Sequence, residues 1–229
     1  RDQEDIAGLY KQLTFAGVKL ITLSEGEVNE LHVGLKGTMN ALFLKDLAQK
    51  TRRGLEGRVR QGKSGGGNAF GYDIVKKMDA AGEPIRGERR INQAEASIVQ
   101  RILEEFAQGR SPKTIAHALN HEDIAGPSGK AWGPSTIHGN WRRGTGILNN
   151  ELYIGRLVWN RQRFIKNPDT GKRQARLNLK DEWIIEDIPH LRIIDQDLWE
   201  QVKKRQSVSR RRVMAENNSV RAERARRPR

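Results

Sequence analysis

The sequence predicts an α+β, mostly helical protein in which one very long helix joins two smaller folded parts, and three observations lead there. First, Leu31, Leu35, Met39, Leu42, Leu47, Thr51, Leu55 and Val59 recur at mostly three- or four-residue intervals, so a single helix runs from about His32 to Gln61. Its ~30 residues would span roughly 45 Å, much more than an ordinary globular helix. Second, an amphipathic helical segment precedes it and leads into an alternating β-branched one, the rhythm of an α/β layer. Third, capped helices alternate with hairpin signals after it.

Taken in order, Ile6, Leu9, Tyr10 and Leu13 mark a helix over Asp5–Ala16 that Gly17 stops. Val18–Leu23 reads as a strand, with Glu25-Gly26-Glu27 as the turn into the long helix. Gly62–Asn68 contains only small or basic side chains apart from Asn68 and reads as a flexible linker; its glycines lack the phosphate-loop spacing and follow a helix rather than a strand. Tyr72–Lys77 and Ile85–Ile91 form a hairpin around Asp79-Ala80-Ala81-Gly82. Asn92 caps a helix over Gln93–Gln108 that ends at Gly109.

Ser111 at the N-cap and Pro112 at N1 start a short helix ending near His121, and Gly133-Pro134-Ser135 starts a second that continues through Trp141, Arg142 and Arg143. A helix, a connection, and a helix bearing Ser, Thr, His, Asn and Arg near its start form the pattern of a helix-turn-helix. Trp132 and Trp141 read as core anchors. The apolar cluster Leu152–Trp159 runs into a strand, Asn167–Gly171 turns it into a basic strand over Lys172–Leu179, and Asp195 caps a helix with Leu198, Trp199 and Val202 on one face.

Composition narrows the function. Hydrophobic residues make up 36% of the 229 and charged residues 31%, enough for one modest core under a large solvated surface. No cysteine is present, which removes disulfides, a thiol nucleophile and thiolate zinc sites. His117 and His121 lie four apart without a third ligand nearby, so they read as surface or capping groups and no metal is expected. No apolar run approaches the ~18 residues of a membrane span, and nothing resembles a signal peptide, so a cytoplasmic protein is expected. The first residue is Arg rather than Met, which reads as a fragment whose natural start lies upstream.

The net charge of +14 points to a polyanionic partner, and its distribution is uneven. Lys203–Arg229 holds eleven basic and two acidic residues, and Val33–Lys63 holds eight and two, which leaves the rest of the chain near neutrality. The final ~15 residues read as a solvated tail. The block ending at Lys63 sits on the last turns of the long helix with little to bury, and reads as a polyanion contact beyond an oligomer interface.

Read together, these segments resemble a known family. TRRGLEGRVRQGK, then glycines, then FGY, resembles the junction after the catalytic domain of the large serine recombinases and related integrases and transposases. SPKTIAHALN and ILNNELYIGRLVWNR resemble the recombinase DNA-binding domain that follows it, so the likeness covers about residues 1 to 205. The resemblance implies the edge of an α/β resolvase-like catalytic domain over 1–33 and an oligomerisation and DNA-crossing helix over 34–61. It also implies a Gly-rich linker over 62–69, a DNA-binding domain over 70–190, and a helix with a basic tail over 191–229. In the family a serine hydroxyl attacks a DNA phosphodiester, and arginines rather than a metal or nucleotide cofactor stabilise the transferring phosphoryl group.

Carried onto this chain, Arg1 falls on the last arginine of the family's Asp-Arg-Leu-x-Arg-like motif, a contact to the scissile phosphate. None of the nine serines lies in the nucleophile's context, so the chain as given is expected to bind DNA without cutting it. The implied partners are double-stranded DNA and further copies of the chain, a dimer on a site and a tetramer in synapsis. Arg52, Arg53, Arg58, Arg60 and Lys63 would contact phosphates, and Ser64, Gly65, Gly66 and Asn68 would follow the minor groove. Lys113 would also bind DNA, while Ser135, Thr136, His138, Asn140, Arg142 and Arg143 would read base edges. A non-enzymatic regulator that dimerises through the long helix is the alternative, and a basic RNA-binding protein a third reading, weakened because its aromatics do not cluster with the basic patches.

Overall fold

The computed structural model describes residues 3–23 and 26–210. Arg1 and the basic tail over 211–229 lie outside the described residues. The chain divides into two compact units, Arg1–Gly57 and Arg58–Arg229.

The first unit contains α1 (Gln3–Phe15), a minimal hairpin of β1 (Ile21–Thr22) and β2 (Gly26–Glu27), and most of α2 (Glu30–Arg60). Gly17 ends α1 at a φ of +71°, a backbone state that costs glycine little. The strand expected over Val18–Leu23 is shorter, Ile21–Thr22, and Gly26–Glu27, expected as the turn, is its partner. Asn29 starts α2 by a reciprocal cap: its side chain accepts the His32 amide at 2.9 Å, and its own amide donates to the His32 ring at 3.3 Å. Among the described residues of this unit none is buried. Leu31, Leu35, Met39, Leu42, Phe43, Leu44 and Leu47 of α2 are 49% to 73% exposed, so the helix carries an apolar stripe that its own unit does not cover.

The second unit holds the core. β3 (Tyr72–Ile74) pairs with β6 (Arg89–Ile91), and β4 (Lys77–Met78) pairs with β5 (Pro84–Ile85) around a turn in which the Asp79 carboxylate accepts the Ala81 and Glu83 amides. Then come α3 (Gln93–Ala107), α4 (Pro112–His121) and α5 (Pro134–His138). Asn92 and Ser111 cap α3 and α4 as their sequence positions suggest, accepting the Glu95 and Thr114 amides. Two short 3₁₀ segments follow, and then the antiparallel pairs β7 (Arg156–Trp159) with β10 (Ile184–Asp187) and β8 (Gln162–Lys166) with β9 (Arg173–Leu177). Residues 196–210 form the last described helix, α6, capped by the Asp195 carboxylate on the Leu198 amide.

Val99, Ile102 and Leu103 of α3, Ile115 and Leu119 of α4, Ile137 of α5, and Val202 of α6 are essentially inaccessible and share one cluster with Leu148 and Tyr153. Each such side chain contributes roughly 1.5 to 3 kcal/mol by leaving water. Tyr72 and Tyr153 stack with ring centroids 6.1 Å apart. The Tyr72 hydroxyl shares its proton between the Leu152 and Leu191 carbonyls at 3.0 and 2.8 Å, which ties β3 to two distant 3₁₀ segments. Burial pushes the ionisation of both tyrosines well above the ordinary range, so they stay neutral donors. Arg101 of α3 grips the Glu122 carboxylate with both terminal nitrogens, at 2.5 and 2.6 Å, and so fastens α3 to the end of α4.

Candidate nucleic-acid interface

The end of α2 and the glycines after it form the first part of the candidate interface. Gly62, at a φ of +74°, lets the helix finish in a Schellman turn: its amide reaches the Val59 carbonyl at 2.8 Å and the Lys63 amide reaches that of Arg58 at 3.1 Å. The segment that follows, expected to be flexible, is packed in its first half. Ser64 is 6% exposed and its amide donates to Gly87. A Cβ at Gly65 would overlap Val59 and the Trp159 indole, so Gly65 serves close packing. Gly66 and Gly67 have open space around them.

Arg89 organises this loop. One of its terminal nitrogens donates to the Ser64 hydroxyl and to the Gly67 carbonyl, both neutral acceptors, and burial lowers the guanidinium's basicity. Arg58, Arg86 and Arg89 line a cleft of about 150 Å³ with Ser64, Gly66, Gly67 and Asn68, and Glu88 lines it too. Glu88 lies 3.1 Å from Lys77 and 3.9 Å from Lys63. The fold thus gathers Arg58, Ser64, Gly66 and Asn68 from the sequence-derived set and adds Arg86 and Arg89, which lay in a presumed strand. Guanidiniums and exposed glycine backbone around a small cleft suit an anion such as a phosphodiester.

The second part is the α4–α5 pair. Lys113 and Ser135 are exposed, as is His138, while Thr136 is half-buried. The long connection between the helices is held by an amide clamp: Asn120 donates to the Trp132 carbonyl at 2.9 Å and accepts the Trp132 amide at 2.7 Å. Trp132 is a core anchor, 3% exposed and edge-on to Phe70.

The expected continuation of the second helix is corrected by the structure. α5 stops at His138, because Gly139 adopts a φ of +55° and its Cα side lies against the Thr145 carbonyl. Asn149 then holds the His138 and Thr145 carbonyls together at 2.8 and 2.9 Å. Asn140, Arg142 and Arg143 therefore sit on a tight turn after the helix. The Asn140 side-chain oxygen is engaged by the Arg142 and Arg143 amides at 3.1 and 3.2 Å, so it is not offered to an adenine in this conformation. Trp141, expected as a core anchor, is 49% exposed with the Arg142 and Arg210 guanidiniums over its ring at 5.3 and 4.2 Å.

The remaining candidates are on α2. Arg52 and Arg53 are exposed in the first unit, while the exposed Arg60 and half-buried Lys63 belong to the second. Two basic residues that began the C-terminal charge run are structural. Arg205 donates to the Phe106, Gly109 and Arg110 carbonyls and lies over the Phe106 ring, which caps the end of α3 with positive charge. Lys203 donates to Leu148, Asn149 and Gln206 oxygens. Burial lowers its pKa to about 8.

The Recombinase family model matches residues 93–208, slightly more than half of the chain, and the chain belongs to that family. The match runs from the start of α3 into α6, so it contains α4, α5 and every strand from β7 onward. A solved structure described as "Crystal Structure of a LSR-DNA Complex" is similar over 62% of this chain, at 19% identity and a TM-score of 0.38. The similar part covers 32% of that structure's chain, so this chain spans about a third of its length. No curated protein matches the sequence.

Proposed function

We propose that the chain supplies the DNA-binding and oligomerising part of a site-specific serine recombinase, an enzyme that cuts and rejoins DNA through a phosphoserine intermediate. The observation that carries this is α2: a 31-residue helix with an uncovered apolar stripe in its first half and Arg52, Arg53, Arg58 and Arg60 in its second. Such a helix can pair with another copy and continue across a phosphate backbone. Membership of the Recombinase family and the resemblance of TRRGLEGRVRQGK to the family's domain junction support the same reading.

In this reading the arginines of α2 and the Arg58–Arg89 cleft hold phosphates, Gly66–Asn68 follows the minor groove, and α5 with the turn after it reads bases in the major groove. The intact protein binds a site as a dimer and joins two sites as a tetramer in the cytoplasm. Arg1 contacts the scissile phosphate there, and the nucleophile is a serine other than the nine in this chain. No metal or nucleotide cofactor takes part, because transesterification conserves the phosphodiester bond energy in the phosphoserine link.

The test is covalent trapping. The complete reading frame, with any coding sequence upstream of Arg1, is incubated with genomic DNA under conditions that retain protein-DNA adducts. An adduct abolished by Ser→Ala in an upstream Tyr-x-Arg-x-Ser-like stretch would establish the recombinase. Salt-sensitive, site-specific binding with no adduct would instead identify a non-enzymatic regulator.

A further inference from the structure

We infer that the β8–β9 hairpin is a second DNA-reading element, a basic two-stranded ribbon that enters the major groove beside α5. This rests on the DNA-binding reading above and adds a contact that neither the sequence motifs nor the glycine cleft supplies.

The ribbon has the wrong chemistry for a structural hairpin. Among the described residues β8 and β9 pair only with each other, and none of the ten strand residues is buried. Phe164, Ile165 and Leu177 are 45% to 54% exposed. An isolated hairpin is marginal in water, and like charges opposite one another weaken it further. The register nevertheless places Arg163 opposite Arg176 and Lys166 opposite Arg173. Across Gln162–Leu177 five basic residues face a single acid, Asp169, in the turn. Such a ribbon is stabilised when a polyanion neutralises it.

Its base, by contrast, is built to be held still. The Arg161 guanidinium is bonded to Glu151 at 2.5 Å and lies over the Trp183 ring at 5.0 Å. Asn178, 7% exposed, donates to the Asn160 carbonyl at 2.8 Å, and its amide donates to the Arg161 carbonyl at 2.9 Å. The same Arg161 guanidinium lies where a Cβ on Gly144 would be. The ribbon therefore springs from directly beside the turn that carries Arg142 and Arg143.

Duplex DNA is the occupant these features favour. A two-stranded ribbon fits the B-form major groove, and the five-residue strands span about 17 Å, enough to cross its ~12 Å width. The narrow major groove of A-form RNA would exclude it. The net positive charge argues against an apolar protein partner, and the Arg173 guanidinium 5.1 Å over Phe164 leaves the one exposed aromatic flanked by charge.

The experiment uses the full chain and a fluorescein-labelled random duplex of about 40 bp, titrated by anisotropy between about 50 and 200 mM KCl. Arg163→Gln, Arg173→Gln and Arg176→Gln are combined in one variant, with the three Arg→Lys changes as a charge-keeping variant and Arg52→Gln/Arg53→Gln as a reference. The Gln variant is expected to bind about 10-fold or more weakly, with a salt slope shallower by about 2 to 3, and the Lys variant to restore the slope. Wild-type binding that weakens in the reference but not in the ribbon variant would overturn the ribbon assignment and leave the DNA reading standing. A loss that lysines do not restore would make the arginines structural, and a loss confined to single-stranded RNA of the same length would assign the ribbon to RNA; either overturns the proposal. Absence of any duplex binding by the wild-type chain would remove the DNA reading itself.

Discussion

Lys203 shows how a residue that looks like a surface charge can become a structural one. Its ammonium lies over the Trp199 ring at 4.3 Å and donates to the Leu148 carbonyl at 2.6 Å, so the 3₁₀ segment beside α5 is fastened to α6. Burial is the main cause of its fall to about 8 from the ordinary lysine value of 10.5. Because the folded value is the lower one, the associated stability is present above the unfolded pKa and lost as pH falls through the folded one. Relative to Lys203→Met, the wild-type protein should gain about 2 to 3 kcal/mol as pH rises from about 8 to 10.5. Denaturant unfolding of both proteins across that window checks this, and parallel pH profiles would refute it. Nothing in the sequence marked Lys203 apart from its neighbours, since the three oxygens around it come from Leu148, Asn149 and Gln206, two of them more than fifty positions away.

At the scale of elements, boundaries set by neighbouring residues were readable and those set by distant ones were not. Asn92, Ser111 and Asp195 cap helices with their own side chains, a local interaction visible in three or four consecutive residues. The stop of α5 is nonlocal, because the Gly139 backbone meets Thr145 and Asn149 bridges the two. Gly139→Ala should therefore cost at least about 2 kcal/mol, since a Cβ would both occupy a strained φ and overlap the Thr145 carbonyl. Gly66→Ala meets nothing within 4 Å and should leave stability within about 0.5 kcal/mol while weakening DNA binding. Thermal unfolding and duplex titration of the two variants separate these roles; a large loss of stability from Gly66→Ala would contradict the assignment of that backbone to the DNA. The glycine segment was legible as small and basic, but its partner Arg89 was not, because 22 to 25 residues separate the guanidinium from the loop it holds.

At the scale of the whole molecule, the two units differ in how far they bury their apolar residues. The second unit has a continuous core, whereas the first leaves the α2 stripe in water. Apolar exposure on that scale favours association. The chain should therefore self-associate at micromolar concentration, and Leu35→Lys with Met39→Lys should make it monomeric without unfolding the second unit. Sedimentation velocity over a concentration series reads this directly, and a wild-type chain that stays monomeric throughout would remove the oligomerisation role of α2.

The mixed, mostly helical class, the length of α2, the caps of the later helices and the concentration of positive charge were all determined by the sequence, since each follows from periodicity or contacts among neighbouring residues. The Recombinase family was legible there too, in the SPKTIAHALN segment, which lies within the matched residues 93–208. Only the tertiary structure decided where α5 ends, that Trp141 faces solvent while Trp132 is buried, that Lys203 and Arg205 serve the fold, and that Arg58, Arg86 and Arg89 share a cleft. Each of these depends on groups brought together from distant positions, and the hydrophobic burial that brings them together carries no short-range pattern.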